Sequence, residues 1–164
     1  MTAAAPRQRV WHPYTQHGAA APPVSIDHAA GSYLYAKDGR RLFDGISSWW
    51  VNLHGHAEPR IAGAIAAQAR KLEQVIFAGF THEPAERLAE KLLAVVPQGL
   101  EHIFFSDDGS TAVEAAVKMA LGFWRHRGEG RVIVAAFEHS YHGDTFGAMS
   151  VSARGPFTAP YEQH

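Results

Sequence analysis

The stretch Ser106-Asp107-Asp108-Gly109-Ser110-Thr111 joins an apolar run, HIFFS, to a helical pattern. Such a junction sets unpaired backbone N–H groups beside the positive end of a helix dipole, a setting that suits a phosphate. Gly109 lets a ligand approach the backbone closely, and Ser110 and Thr111 add two hydroxyls. The same residues also make an ordinary capped helix whose Ser and Asp serve only its own amides, and the motif by itself favours that plainer reading. It is neither a Walker A loop nor a dinucleotide fingerprint, and Gly128-x-Gly130 precedes its strand instead of following it.

A second group is His139-Ser140-Tyr141-His142-Gly143-Asp144, just after the apolar run RVIVAAF. In an open parallel sheet, ligands bind beyond the carboxyl ends of the strands. Tyr141 is therefore placed to stack on a flat ligand whose phosphate lies at residues 109–111; the alternative is a loop tyrosine that anchors the turn. The pairs His139/His142 and His54/His56 lack further ligands at convincing spacing, so no metal is expected. A third group is Ser47-Ser48-Trp49-Trp50. On a strand, consecutive side chains point to opposite faces, so one indole packs in the core while the other lines a pocket. Both rings in the core, or in an oligomer interface, is the competing arrangement.

These groups need elements to position them. Residues 1 to about 23 read as an extended arm, because Pro6, Pro13, Pro22 and Pro23 prevent a continuous helix. The arm carries Trp11 and Tyr14, large rings that find a surface to bury against. Short strands are predicted over 24–27, 33–36 and 41–44, the last two joined by Lys37-Asp38-Gly39-Arg40, a hairpin signal. Pro59 opens a helix with Ile61, Ile65, Leu72 and Val75 near one face. Thr81 is the expected N-cap of the next, with Ala85, Leu88, Leu92 and Val96 as its stripe and Pro97-Gln98-Gly99 as its stop. Then come a strand over 102–106, a helix over 112–124 and a strand over 131–137, a βαβ unit whose strands imply a parallel sheet.

Composition narrows the function. Fifteen Lys and Arg against sixteen Asp and Glu leave a formal charge of −1, which argues against a nucleic-acid binder. At 46% apolar and 19% charged the chain is globular in type. With no cysteine there is no disulfide scaffold, zinc–cysteine site or thiol nucleophile, and a cytoplasmic location is expected. No apolar run approaches the ~20 residues of a membrane helix. Two parallel strands cannot cover both faces of an open sheet, so the chain is expected to be the N-terminal part of something longer.

In this order, WHPYTQ, DGRRLFDGISSWWVNLHGHAEPRI, FAGFTHEPA, FFSDDGSTAVEAAVKMAL and YHGDTFGAMSV resemble the class III pyridoxal-phosphate aminotransferases over nearly all of residues 10–151. The glycine-serine-threonine helix start and the Tyr-His-Gly loop are general in that class. WHPYT together with SSWW is the specific part. It points to the branch that moves an amino group from S-adenosylmethionine to 8-amino-7-oxononanoate in biotin biosynthesis. An ω-amine transaminase and a non-enzymatic phosphate-binding module are the rival readings.

The resemblance implies an α/β fold: the N-terminal part of a fold-type-I transferase dependent on pyridoxal 5'-phosphate. Residues 1–60 would be the arm and hairpin segment of the small domain, and residues 61–164 the incomplete start of the large cofactor-binding domain. It implies that Gly109 and Ser110 bind the cofactor phosphate with Thr111 adjoining. Tyr141 would lie against the pyridoxal ring and border the substrate, Trp49 would line the substrate pocket, and Tyr14 would reach into it. It also implies a homodimer at full length. Lys37 lies in a hairpin turn and Lys71, Lys91 and Lys118 on helices; none matches the family's Schiff-base position. No catalytic residue is assigned, and this stretch alone is expected to be inactive.

Overall fold

The computed structural model describes residues 9–156 and 158–161; Pro6 of the expected arm lies outside them. The chain divides into two compact units, Met1–Phe80 and Thr81–His164. In the first, strands β1 (Ile26–Ala30), β2 (Tyr33–Ala36) and β3 (Arg41–Phe43) form an antiparallel sheet in the order β1-β2-β3. The β2–β3 hairpin closes as its Asp-Gly pair requires. Gly39 takes φ +87°, and the Asp38 carboxylate accepts from the backbone N–H of Arg40 at 3.2 Å and from its Nε at 2.9 Å. Register follows, with Tyr33 opposite Phe43, Leu34 opposite Leu42 and Tyr35 opposite Arg41. The Tyr33 and Phe43 rings meet edge to face at 5.7 Å, a cross-strand pair of the kind that fixes sheet alignment. The first strand starts two residues later than its sequence suggests, and its pairing with β2 is irregular between Ile26 and His28.

A single helical turn, α1 (Ser47–Trp50), follows β3, and helix α2 runs Pro59–Lys71. Pro59 occupies the first turn as expected, and Glu58 supplies the cap by accepting from the Ile61 amide at 2.8 Å. The apolar pattern continues to Val75, but the backbone turns extended at Leu72 and the helix stops there.

In the second unit, helix α3 spans Glu83–Leu93. Its cap is His82, not Thr81: the His82 ring accepts from the Ala85 amide at 3.3 Å, while the Thr81 hydroxyl donates to the Glu86 carboxylate. Helix α4 (Gly109–His126) is longer at both ends than its apolar pattern, and α5 (Phe146–Ser150) packs against it. A short 3₁₀ turn covers Ala159–Tyr161. Among the described residues, Gly143, Ala148, Met149 and Thr158 are the buried ones of this unit.

Residues 102–106 and 131–137 are not paired strands. Among the described residues the only ladders are those of β1–β3 and an isolated bridge between Gly31 and His56. A strand exists only where a neighbour takes its backbone hydrogen bonds, and these two runs do not pair with each other. Their side chains are correspondingly open, Ile133 to 94% and Phe137 to 88%.

Candidate functional site

Each unit carries part of the expected site. In the second, the start of α4 is organised by a reciprocal cap. The Asp108 carboxylate accepts from the Thr111 amide at 2.8 Å, and the Thr111 hydroxyl accepts from the Asp108 amide at 3.1 Å. The Ser106 hydroxyl donates to the Thr111 oxygen at 2.6 Å. The Thr111 side chain is thus committed to the helix start, which leaves Gly109 and Ser110 at the open end. Among the described residues neither of their amides has an acceptor.

The loop after residue 137 closes on this turn. The Asp144 amide donates to Ser110 Oγ at 3.1 Å, and the Tyr141 hydroxyl donates to the Asp144 carboxylate at 2.9 Å. With its oxygen accepting from Asp144, the Ser110 hydroxyl keeps its own proton for another partner. Gly143 is required here: a Cβ on it would lie 2.2 Å from Ser110 Oγ, and its φ is +126°. Glu114, one turn further along α4, accepts from the Thr145 hydroxyl and from the Ala148 amide at 3.1 Å. Gly147 sits against that carboxylate, where a Cβ would approach within 2.5 Å.

The residues fit a cofactor phosphate. Two unpaired N–H groups, a hydroxyl with a proton to give and the positive end of an eighteen-residue helix converge. A Cβ built at Gly109 meets nothing within 4 Å, so the space beside the amides is open. The Tyr141 ring is 72% exposed. Gly143 and Asp144 belong to the group singled out in the sequence, without the contacts they make; Glu114 and Gly147 are the members that sequence reasoning missed. A glycine two residues after Tyr141 was the visible sign of close approach, whereas Glu114 lies within an apolar stripe and carries none. An open groove of about 600 Å³ lies beside Leu121, Arg125, Gly128 and Val132, at the other end of α4. A helix of eighteen residues is roughly 27 Å long, so that groove takes no part here.

In the first unit, Tyr14 and Trp49 come together, their rings stacked at 6.1 Å and 13°. Trp49 is 60% exposed. The expectation that Trp49 and Trp50 point to opposite faces of a strand is overturned: α1 is a helical turn, and the two indoles lean on each other at 5.4 Å and 42°. The turn is left-handed. Ser47, Ser48, Trp49 and Trp50 have φ of +50°, +46°, +67° and +67°, and such backbone costs about 1–2 kcal/mol for each residue with a side chain. Asp44 offsets this. Its carboxylate accepts from Ser48 N at 3.0 Å, from Ser48 Oγ at 2.7 Å and from His56 Nε2 at 2.7 Å. The Ser48 amide, then the Ser48 hydroxyl, then His56 lower the Asp44 pKa from 3.8 to about 2.

No group of three or more metal-ligating side chains forms among the described residues, and no helix there is long and apolar enough to cross a membrane. His56, one of the histidines considered for zinc, is held by Asp44.

Residues 14–161 match the family described as Aminotransferase class-III. The chain is 55% identical over 154 residues to the adenosylmethionine-8-amino-7-oxononanoate aminotransferase of Synechococcus elongatus, covering 94% of this chain and 36% of that protein. A crystal structure of the enzyme of the same name from Methanocaldococcus jannaschii superposes with a TM-score of 0.87 at 37% identity, over 94% of this chain and 36% of that one. An amine transaminase from an uncultivated Pseudomonas species, in its PLP-bound form, gives a TM-score of 0.82 at 33% identity, over 94% of this chain and 36% of that one. The chain spans about a third of the length of these relatives.

Proposed function

The chain belongs to the class-III aminotransferase family, and from that premise we propose that it is the cofactor-phosphate and substrate-wall portion of an enzyme that converts 8-amino-7-oxononanoate to 7,8-diaminononanoate. The amino donor is S-adenosylmethionine, and the step belongs to biotin biosynthesis. The 55% identity to a relative of that name, over nearly the whole chain, carries the choice of substrates. The cofactor of the family is pyridoxal 5'-phosphate, which when bound supplies the electron sink that amino transfer needs.

This chain's own residues bind and orient. The Gly109 and Ser110 amides and the Ser110 hydroxyl take the phosphate, with Thr111 holding the turn that presents them. Asp144 fixes Ser110 through its amide and Tyr141 through its carboxylate, so the ring of Tyr141 is set for a flat partner. Trp49 and Tyr14, already stacked, form an apolar wall that keeps water from the substrate. Residues 1–60 serve as arm and hairpin of the small domain and residues 61–164 as the start of the large one. The full-length protein is a cytoplasmic homodimer, and its Schiff-base lysine lies outside these residues.

The amine transaminase at 33% identity supports a second reading, amino transfer from simple ω-amines. Donor profiling of the full-length enzyme separates the two. With 8-amino-7-oxononanoate as acceptor, S-adenosylmethionine should yield 7,8-diaminononanoate while ω-amines do not. Turnover with ω-amines and none with S-adenosylmethionine would establish the second reading.

A further inference from the structure

We propose that Asp44 and His56 are positioning residues: together they lock α1 in its left-handed form and so fix the Trp49 ring against the substrate. The proposal rests on the reading of Trp49 as a substrate wall and adds what holds that wall in place.

The motivating observation is backbone strain without glycine. Four consecutive residues at positive φ, two of them tryptophans, have no local reason to stay there. Strained backbone persists where its surroundings over-determine it, and it gathers at working sites. Here the surroundings can be named. Asp44 lies one residue beyond β3 and His56 bridges back to the β1–β2 connection. The His56 amide donates to the Gly31 carbonyl at 2.7 Å and its carbonyl accepts from the Gly31 amide at 3.1 Å. Both ends of the segment carrying α1 are therefore tied to the sheet. Gly55 makes that approach possible, since a Cβ there would meet the Gly31 backbone at 3.0 Å.

The clamp is enclosed and fully engaged. The side chains of His56 and Asp44 are 14% and 6% exposed. A carboxylate only accepts, so the His56 Nε2 facing it carries the proton. One Asp44 oxygen takes the Ser48 amide; the other takes both the Ser48 hydroxyl and His56. An asparagine at this position accepts on one side only. With its oxygen on the Ser48 amide, its NH₂ group faces the Ser48 hydroxyl and the imidazole, so both must turn from donor to acceptor and the charge that held them is gone.

The product of the clamp is a displayed pair of indoles, Trp49 at 60% and Trp50 at 71% exposure, with Tyr14 stacked on the first. A pair tilted by 42° at 5.4 Å gives an exciton couplet in circular dichroism, which reports α1 directly.

The test uses the full-length enzyme with Asp44→Asn, His56→Gln, His56→Leu and Trp49→Ala. Trp49→Ala identifies the couplet by abolishing it. In Asp44→Asn and His56→Leu the couplet should collapse. KM for at least one substrate should rise roughly tenfold, the scale of one charge-assisted hydrogen bond, while kcat and pyridoxal-phosphate affinity hold. His56→Gln, which keeps a donor for Asp44, should restore both couplet and KM. An unchanged couplet in Asp44→Asn and His56→Leu overturns the lock. A lost couplet with unchanged KM overturns the link to substrate. Trp49→Ala then shows which reading failed: a raised KM there keeps Trp49 as a wall, and an unchanged KM removes it. Should Asp44→Asn fail to fold, the His56 pair carries the same comparison.

Discussion

At the scale of single residues, Ser110 has two jobs that a substitution separates. Its oxygen receives the Asp144 amide, and in the proposed function its proton goes to the cofactor phosphate. Ser110→Ala should weaken pyridoxal-phosphate binding by ten- to a hundredfold, the worth of one hydrogen bond to a charged group at about 1.5–3 kcal/mol. Cofactor titration of the full-length apoenzyme measures this, and KM for the substrates at saturating cofactor should change little. Gly143→Ala should fail differently. With Ser110 Oγ only 2.2 Å from the new Cβ, the loop must move, and overpacking costs roughly 1–3 kcal/mol. Its signature is a lower melting temperature without cofactor as well as with it; an unchanged apoenzyme melt would refute the close approach. The helix start at Gly109 and Ser110 was legible in the sequence because an apolar run meets a helical pattern there. Glu114 was not: its partners Thr145 and Ala148 lie more than thirty residues away, and no local pattern announces that contact.

At the scale of elements, local chemistry predicted what local chemistry controls. The Asp-Gly hairpin, the proline opening α2 and the long α4 follow from turn geometry, a fixed φ and a 3.6-residue apolar stripe. The handedness of α1 does not follow from anything in Ser-Ser-Trp-Trp, because none of those residues favours positive φ. It comes from Asp44 and from His56, twelve residues further along the chain. That dependence has a pH signature. The Asp44 carboxyl is held at about 2 in the folded chain against its ordinary 3.8. A lowered carboxyl pKa stabilises the fold fully above the unfolded value, and the contribution is lost as pH falls through the folded one. The wild-type melting temperature should therefore fall between pH 3.8 and about 2 by more than that of Asp44→Asn. Parallel curves for the two proteins would show that Asp44 contributes nothing through its charge.

At the scale of the whole molecule, exposed area decides behaviour. Among the described residues, large apolar side chains lie open to solvent, including Phe104, Val132, Ile133 and Phe137. Apolar surface on that scale drives association. Residues 1–164 produced alone should self-associate, giving a light-scattering mass above the monomer and binding of a hydrophobic dye; a monodisperse monomer with a sharp cooperative melt would contradict this. The sequence marked residues 102–106 and 131–137 as strand-forming from their apolar character. Pairing belongs to the neighbour as much as to the strand, and no such neighbour appears among the described residues. Fold class was legible for the same reason that strand pairing was not: motifs travel with the chain, while ladders require a second partner.

Asp144 reaches two places at once, its amide on Ser110 and its carboxylate on Tyr141. It thereby acts as a ruler. One residue sets the spacing between the start of α4 and the Tyr141 ring, and that spacing cannot drift through independent movement of two loops. A head group with a longer arm between its phosphate and its ring would have to stretch a single backbone-to-side-chain span, which has almost no slack. In the proposed function, that single span is what would make the site select for the length of the bound molecule.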